Sequence, residues 1–410
     1  MQNSFRTKSL MAVAAAIALA LMLPGQTTST HIGAATAPVT MAATMNAGAT
    51  AAATDESAQF LSMGDMNHQL DLLKQTPEGD PKTPWTQYFK TDNFVDTSSM
   101  KKTAPWHLCF SNASLTNNWR VTAFNVMQAE VKLHPEIGEF TATDAQGKDE
   151  KQIADIDDLL TKKCDALIIS PNTTAALTPE VEKAAKTGIP VILFDRGVNS
   201  TAYTTFIHPI GGYAFGYVGA KYLADTLNGK GNILALRILP GVDVLETRWL
   251  AARQVFSQNP GMKVIGMEFD DNDVAKTKSI VTDYISRGQI DGVWMDAGEA
   301  SRGVYEAFVD AGQPVPPITS EDVNGWLKIW TTNNLKSIAP TYPGFQWRTA
   351  VIAATMILNG QKVPKEWVLP QPTVTNDNVK DFVQNSLPDT YYVFSRGDAI
   401  PGYLDTLKTK

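Results

Sequence analysis

The chain has 410 residues, of which 43% are hydrophobic and 9% aromatic, a composition typical of a globular protein with enough chain for two domains. Its formal net charge of -7 and the lack of a long basic block argue against a nucleic-acid partner. We therefore expect a small or neutral ligand.

Residues 1–25 have the pattern of a secretory signal peptide. Arg6 and Lys8 precede the apolar segment LMAVAAAIALALML, which stops at Pro24-Gly25. This segment is shorter than the roughly 20 apolar residues that span a membrane. We predict export to the periplasm, with an uncleaved membrane anchor as the alternative.

Residues 26–102 are predicted to be a linker followed by an N-terminal extension. From Thr27 to Thr54 the chain is rich in Ala, Thr, Gly and Met and has almost no charge, which is typical of a flexible linker. The rest is polar and contains several prolines, with one short helix expected around MNHQLDLLKQ. We expect a peripheral extension and a folded body that begins near Thr103.

From Thr103 onward, short apolar runs alternate with helical patterns. HLCFSNA precedes a helical pattern in WRVTAFNVMQAEV, GEFTATD precedes KQIADIDDLLTK, and DALIIS precedes PEVEKAAKTG and then PVILFD. Apolar residues recur every three or four positions in the first two helical patterns, as in a helix that packs on a sheet. Strands separated by helices of this length predict parallel βαβ units.

The same pattern occurs a second time along the chain. CDALIIS at 164–170 corresponds to IDGVWMD at 290–296, and GIPV at 188–191 corresponds to GQPV at 312–315, with similar spacing between the markers. A single Gly-x-Pro-Val turn would be common in any α/β protein, but several aligned elements favour a duplication. The fold class predicted is α/β, with two similar Rossmann-like lobes whose parallel sheets are flanked by helices.

Cys109 and Cys164 each lie in or beside a predicted core strand. They could form a disulfide in an oxidising compartment, but we favour two separate buried thiols. Two cysteines and five histidines without ligand spacing do not predict a metal site.

In open parallel sheets, ligands bind outside the carboxyl ends of the strands. The residues that follow the apolar runs include carboxylates, arginines and amides, but no Ser-His-Asp set and no phosphate-binding Gly-rich motif. These groups suit a neutral polyol, because carboxylates accept from sugar hydroxyls while arginines donate to oxygens. Trp119 offers a flat apolar face for sugar C–H groups.

Asp195 and Arg196, in LFDRGV, end a buried strand with two charges. They are interpreted as ligand groups, with an internal ion pair as the alternative. If they bind ligand only, Asp195→Ala and Arg196→Ala should abolish a sugar-induced thermal shift and leave the unliganded melting point nearly unchanged. A large loss of unliganded stability would favour the ion pair.

From Trp106 to Pro370 the chain resembles the periplasmic sugar-binding proteins of the ribose-binding type, which feed ABC importers. FSNASLTNNWR is similar to the first strand and loop of the galactofuranose-binding member. VILFDRG is similar to the family's strand end whose Asp and Arg bind sugar. LPGVDVLETRWLAARQVF is similar to the second-lobe helix with a ligand arginine, which is Arg248 here. WLAARQVF lacks the family's usual Gly-Phe, and the extension is foreign to short ribose binders.

The resemblance also implies ligand groups in two further segments. IDGVWMDAGEASRGVYEAF offers Asp296, chosen over Ala297, and ITSEDVNGW offers both Glu321 and Asp322, between which the alignment does not decide. No cofactor is expected. The full set of candidate ligand residues is Asn112, Asn118, Trp119, Arg120, Asp195, Arg196, Arg248, Asp296, Glu321, Asp322 and Thr341.

The family architecture, that of a type I periplasmic binding protein, implies a three-segment hinge, with crossovers near His208-Pro209, Thr341–Pro343 and Leu369–Thr373. It predicts an N-terminal lobe of residues 103–207 with 342–370, and a C-terminal lobe of residues 208–341 with 371–410.

The resemblance implies an exported solute-binding protein, a monomer, that captures a monosaccharide between its lobes and delivers it to an ABC permease in the inner membrane. Sugar-sensing receptors for chemotaxis or signalling are the first alternative. A ligand-sensing transcription regulator is disfavoured because no helix-turn-helix pattern is evident. A carbohydrate-active enzyme that uses two strand-end carboxylates is the remaining alternative.

Overall fold

The computed structural model describes residues 59–407; the predicted signal peptide and the Thr27–Thr54 linker lie outside this range. The strands are β1 (Phe94–Val95), β2 (Trp106–Asn112), β3 (Ile137–Asp144), β4 (Ala166–Ser170), β5 (Val191–Phe194), β6 (Thr205–Pro209), β7 (Lys230–Arg237), β8 (Gly261–Phe269), β9 (Gly292–Met295), β10 (Ile318–Thr319), β11 (Ser337–Pro340), β12 (Val363–Pro364), β13 (Glu366–Leu369) and β14 (Thr373–Val374).

The helices alternate with these strands through most of the chain. They are α1 (Met63–Leu72), α2 (Asn118–Val131), α3 (Asp149–Thr161), α4 (Thr174–Lys186), α5 (Gly212–Thr226), α6 (Asp243–Ser257), α7 (Val274–Arg287), α8 (Ser301–Asp310), α9 (Asn324–Thr332), α10 (Gln346–Leu358), α11 (Val379–Phe382) and α12 (Tyr403–Leu407). Between residues 59 and 407, no helix is both long and apolar enough to cross a bilayer.

The first sheet is parallel throughout, in the order β13-β6-β5-β4-β2-β3. Successive side chains of β4 point to opposite faces, as strand geometry requires. Leu167 and Ile169 pack with residues of α3 and α4, whereas Ile168 belongs to the cluster that includes Trp347 and Ala350 of α10. This lobe is therefore a sheet between two helical layers.

The second sheet has the order β14-β11-β10-β9-β7-β8, and all its pairs are parallel except β14 with β11. One face packs on α5 and α6 through Trp294 and Trp249. The other face packs on α7, α8 and α9, where Met295, Phe308 and Trp326 are buried. The two α/β lobes predicted from the repeated pattern are confirmed.

The chain passes between the two sheets three times. It leaves β6 of the first sheet for α5 through residues 210–211, leaves β11 of the second sheet for α10 through residues 341–345, and passes from β13 to β14 through residues 370–372. Two of these segments are joined directly, because the Gly211 amide donates to Gln371 Oε1 (2.9 Å).

The extension, residues 59–102, is packed on both lobes, although we expected it to be peripheral. The predicted short helix is α1, and its Met66 is buried with Tyr213 of α5 and Leu250 of α6. Further along the chain, Phe89 donates its backbone N–H to Val368 of β13 (3.2 Å), and Trp85 accepts at its carbonyl from Thr349 of α10 (2.7 Å). Along the chain, the extension therefore contacts the second lobe through α1 and then the first lobe through Trp85 and Phe89.

Cys109 and Cys164 form a disulfide, with 5.8 Å between their Cα atoms. The prediction of two separate thiols is wrong because β2 and β4 are neighbours. Cys109 pairs with Leu167 in the parallel register, so the chain just before β4 runs beside Cys109. The order of strands in the sheet therefore decided the pairing.

Candidate functional site

The carboxyl ends of the strands in the two sheets face a common cavity of about 130 Å³. The first lobe lines it with Asn117, Trp119, Arg120, Asp195 and Arg196. The second lobe contributes Ile238, Leu239, Val242, Val244, Leu245, Arg248, Asn272 and Glu321, and the remaining wall is Tyr342 and Tyr392. The position agrees with the rule that ligands of parallel sheets bind beyond the strand ends.

Arg120 and Asp195 form a buried ion pair in the first lobe. Arg120 Nη2 donates to Asp195 Oδ2, and the two side chains are only 3% and 4% exposed. Ser170 Oγ also donates to Asp195 Oδ2 (3.1 Å), and Arg120 Nη1 donates to Asn112 Oδ1 (3.3 Å). Burial lowers the pKa of Arg120, and the charge of Asp195 opposes that shift.

Local backbone geometry places these two groups. Asn117 caps α2 by accepting from the Arg120 amide (2.9 Å), which fixes Trp119 and Arg120 in the first helical turn. Asp195 has φ of 70°, a left-handed conformation that costs a non-glycine residue free energy. The surrounding contacts hold it there, including the hydrogen bond from Tyr342 Oη to the Asp195 carbonyl (2.9 Å).

Trp119 and Arg196 complete the first-lobe wall. Trp119 Nε1 donates to the Tyr342 carbonyl (2.8 Å), and its ring lies 5.8 Å from the Tyr342 ring. Arg196 donates through Nη1 to the Asn172 carbonyl. Its Nε is buried and has no partner within the described chain. A buried donor of this kind has hydrogen-bonding capacity left for a ligand.

Arg248 is the corresponding group in the second lobe. Its guanidinium lies over the ring of Phe215 (3.9 Å to the centroid) and donates to Glu321 Oε1 (3.1 Å) and to the Asp296 carbonyl. Its Nε is buried and unpaired among residues 59–407. A Cβ added to Gly216 of α5 would lie 1.8 Å from the Arg248 carbonyl, so the close approach of α5 and α6 requires glycine there.

Three second-lobe acids have different surroundings. Burial raises the pKa of Glu321 to about 8, and Arg248 opposes the shift; this side chain lines the cavity. Burial also raises the pKa of Asp296 to about 7 and that of Asp322 to about 6. Asp322 accepts from the Phe394 amide (2.7 Å), an anchor for the C-terminal segment.

The remaining candidates lie around the cavity but do not line it. Asp296 is fully buried, accepts from the Ile238 amide (2.9 Å) and leaves Oδ2 unpaired within the described residues. Asn112 orients Arg120. Asn118 Nδ2 donates across the lobes to Glu299 Oε2 (2.7 Å), and Thr341 Oγ1 donates to the Pro372 carbonyl (2.7 Å) between two crossovers.

Sequence reasoning missed several residues of the site. Tyr342 lies in the predicted crossover segment, but only its neighbour Thr341 was selected. Tyr392 lines the cavity from the C-terminal segment, and its hydroxyl donates to Glu299 Oε1 (3.3 Å). Aromatic residues within predicted hinge segments were the available signal for Tyr342, whereas no local pattern indicated Tyr392 or Glu299.

One group in the described chain has the geometry of metal ligands: His107, Cys109 and Cys164. The two sulfur atoms are bonded to each other in the disulfide, so they are not thiolate ligands. The cavity itself presents guanidinium, carboxylate, amide and aromatic groups from two lobes. Such a cleft, between two α/β lobes joined by three crossovers, has the architecture of a two-lobed solute-binding protein.

Comparison with known proteins agrees with this architecture. Residues 108–362 match the model of the periplasmic binding protein domain, and the chain belongs to this family. It is 26% identical over 223 residues to the ribose import binding protein RbsB of Bacillus subtilis, across 54% of this chain and 72% of that protein. It is 24% identical over 237 residues to the galactofuranose-binding protein YtfQ of Escherichia coli, across 56% and 74% of the two chains.

Among solved structures, an ABC transporter solute binding protein from Thermobispora bispora superposes with a TM-score of 0.63 at 24% identity. The match covers 70% of this chain and 90% of that one. The structural likeness confirms the type I periplasmic binding fold predicted from the sequence.

Proposed function

We propose that the protein is an exported solute-binding protein that holds a monosaccharide in the cavity and delivers it to an ABC import permease. The observation that carries this proposal is the convergence of Arg120 and Arg248, from opposite lobes, on one cavity, with the carboxyl group of Asp195 or Glu321 beside each. The names of RbsB and YtfQ, which refer to ribose and galactofuranose, support a sugar as the ligand.

The chemistry of the cavity suits a neutral polyol. Each sugar hydroxyl can both donate and accept hydrogen bonds, so it can donate one to a carboxyl oxygen of Asp195 or Glu321 and accept one from Arg196 or Arg248. A hydrogen bond to a charged group contributes about 1.5 to 3 kcal/mol. An epimer that misplaces one hydroxyl leaves a buried charge unpaired, which gives selectivity.

We further propose that residues 103–207 with 342–370 and residues 208–341 with 371–410 move as two bodies about the three crossovers. The ligand favours closure because it contacts both lobes only in the closed arrangement. The protein acts as a monomer in the periplasm, catalyses no reaction, and presents the closed lobes to the permease.

A thermal-shift screen of the full chain tests this proposal. D-ribose, D-galactose, L-arabinose, D-fructose and D-xylose are added separately, and a ligand that binds only the folded state raises the melting temperature. NMR of the recovered sugar checks that it is returned unchanged. A screen in which amino acids stabilise the protein and no sugar does would contradict the proposal, and turnover of the sugar would indicate an enzyme instead.

A further inference from the structure

A second depression lies beside the sugar cavity, and the extension forms one of its walls. We call it the side groove; Phe60, Gln69, Asn172, Phe206, Asp243 and Thr247 are among its lining residues. Its volume is about 820 Å³, several times that of the sugar cavity. The first lobe, the second lobe and α1 each contribute part of its surface.

The wall formed by the extension is held in place by specific contacts. Tyr213 Oη donates to the Phe60 carbonyl (2.6 Å) and accepts from the Ser62 amide (2.8 Å). Gln69 Oε1 accepts from the Ala214 amide (3.2 Å), and Met66 is buried against α5 and α6. These bonds fix α1 at the start of α5, so the groove has a defined shape on this side.

The side groove is adjacent to the sugar cavity and shares part of its lining. Asp195, Arg196, Val242, Val244 and Tyr342 contact both spaces. Arg196 is the polar group at this junction with an unused donor, because its Nε is buried and unpaired in the described part of the chain. The cavity and the groove are therefore neighbours, with these shared residues between them.

The groove has the chemistry of a carbohydrate site. Asn172, Asp243 and Thr247 line it with amide, carboxylate and hydroxyl oxygens that can accept hydrogen bonds, and Phe60 and Phe206 supply aromatic surface for sugar C–H groups. Its arginine and histidine are accompanied by carboxylates, with His208 Nε2 3.0 Å from Glu366 Oε1. A phosphate or other strong anion would need a basic cluster, which this lining does not provide.

We propose that the side groove is a second saccharide subsite, so that a disaccharide with one unit in the cavity binds more tightly than that unit alone. This inference rests on the proposed function, since one sugar unit must occupy the cavity. Ligand sites of small molecules have volumes of about 300 to 1,000 Å³. The groove, at about 820 Å³, lies within this range and has room for a second sugar ring beside the one in the cavity.

Paired ligands test the inference on the full chain. Isothermal titration compares D-xylose with xylobiose, D-galactose with lactose, D-glucose with maltose and D-fructose with sucrose. At least one disaccharide should bind about tenfold or more tightly than its component monosaccharide. If monosaccharides bind and no disaccharide exceeds them, the second subsite is refuted while the proposed function stands. If no saccharide binds, the proposed function fails as well.

A substitution in the groove provides a second test of the subsite. Ala175, in the first turn of α4, is exposed and lines the groove, so Ala175→Trp should obstruct it without disturbing the core. The best disaccharide should lose at least tenfold in affinity, and its monosaccharide should stay within twofold. Ala154→Trp, at an exposed position of α3, is the matched control and should change neither affinity.

Gln59→Trp should obstruct the groove from the side formed by the extension, and it serves as the test if Ala175→Trp does not fold. Equal losses for both ligands, or no loss for either, would overturn the subsite.

Discussion

Asp195, the residue that follows β5, has a role in ion pairing and a proposed role in ligand contact, and these have different consequences for stability. Its carboxylate is the buried partner of Arg120, not of the neighbouring Arg196, and it also lines the cavity. Our expectation that Asp195→Ala would leave the unliganded protein nearly unchanged therefore has to be revised. Removal of this carboxylate leaves a buried guanidinium without its counter-ion.

We predict that Asp195→Ala lowers the free energy of unfolding by about 3 to 5 kcal/mol, the usual cost of breaking a buried pair from one side. Arg196→Ala should cost much less, because this side chain is only half-buried, but it should remove the sugar-induced thermal shift. Urea unfolding of both variants measures the difference. Equal stability of the two variants would contradict a structural role for the Arg120 pair.

Glu321 should make the stability of the unliganded protein depend on pH. Its carboxyl has an ordinary pKa of 4.5, and burial beside Asp296 and Asp322 raises the pKa to about 8 in the folded state against the opposing charge of Arg248. Between these values the folded state retains a proton that the unfolded chain has lost. The contribution to stability is thus present at low pH and is lost as pH rises through about 8.

The comparison with Glu321→Gln isolates this effect. From pH 5 to pH 8 the wild type should lose stability relative to the variant by roughly 1 kcal/mol per pH unit. Chemical denaturation at several pH values measures both curves. Parallel curves would show that the Glu321 carboxyl does not take up this proton.

At the scale of elements, the extension is a structural part of the folded body. Phe89 is 6% exposed and packs with Leu72, Ile210 and Ala214, next to the first crossover. Trp85 lies under Arg348, 3.8 Å from its guanidinium, and Arg348 pairs with Glu130 of α2. The extension therefore supports both the hinge and the first lobe.

Phe89→Ala should lower the free energy of unfolding by about 3 to 5 kcal/mol, since it removes a buried aromatic side chain and leaves a cavity. Phe94→Ala, in β1, is the matched control because Phe94 is 39% exposed. Thermal unfolding of the two variants side by side measures the contrast. If Phe89→Ala lowers the melting temperature no more than Phe94→Ala does, Phe89 does not pack tightly against the body of the protein.

The disulfide should stabilise the fold by an amount that grows with the logarithm of the length of the loop it closes. Cys109 and Cys164 are 55 residues apart, and the chain-entropy relation for such a loop gives about 4 kcal/mol. Denaturant unfolding with and without a reductant measures this contribution, and the double variant Cys109→Ala/Cys164→Ala should resemble the reduced protein. Identical midpoints in the presence and absence of reductant would exclude a stabilising disulfide.

At the scale of the whole molecule, contacts between the lobes should set the balance between open and closed forms. The hydrogen bond from Asn118 to Glu299 joins the lobes beside the cavity. Tyr392 also donates to Glu299, so three segments meet at this carboxylate. A ligand changes the balance only by its differential affinity for the closed form.

Asn118→Ala should weaken sugar binding by about fivefold, the equivalent of one hydrogen bond of about 1 kcal/mol. Asn125→Ala, at an exposed position of the same helix, should leave the affinity unchanged. Titration calorimetry measures both, and small-angle scattering should show a more compact protein with sugar than without it. An unchanged radius with bound sugar would argue against closure.

The repeated strand and helix pattern was sufficient to predict the two lobes, because periodicity is a local property of the chain. The apolar run before Asp195 and the segment around Arg248 likewise identified groups that line the cavity. Glu321 and Asp322 could not be separated, because adjacent residues after a strand point to different surroundings. Only the hydrogen bond from the Phe394 amide to Asp322 and the exposure of Glu321 to the cavity distinguish them.

By itself, then, the sequence determined the fold class, the repeat and the strand ends at which polar groups gather. The tertiary structure decided what depends on contacts between distant segments: the Arg120–Asp195 pair, the Cys109–Cys164 bond, the place of Tyr392 and the docking of the extension on both lobes. The physical reason is that strand order and the packing of the two lobes bring together residues separated by tens to hundreds of positions. No local sequence pattern predicts contacts between residues so far apart in the chain.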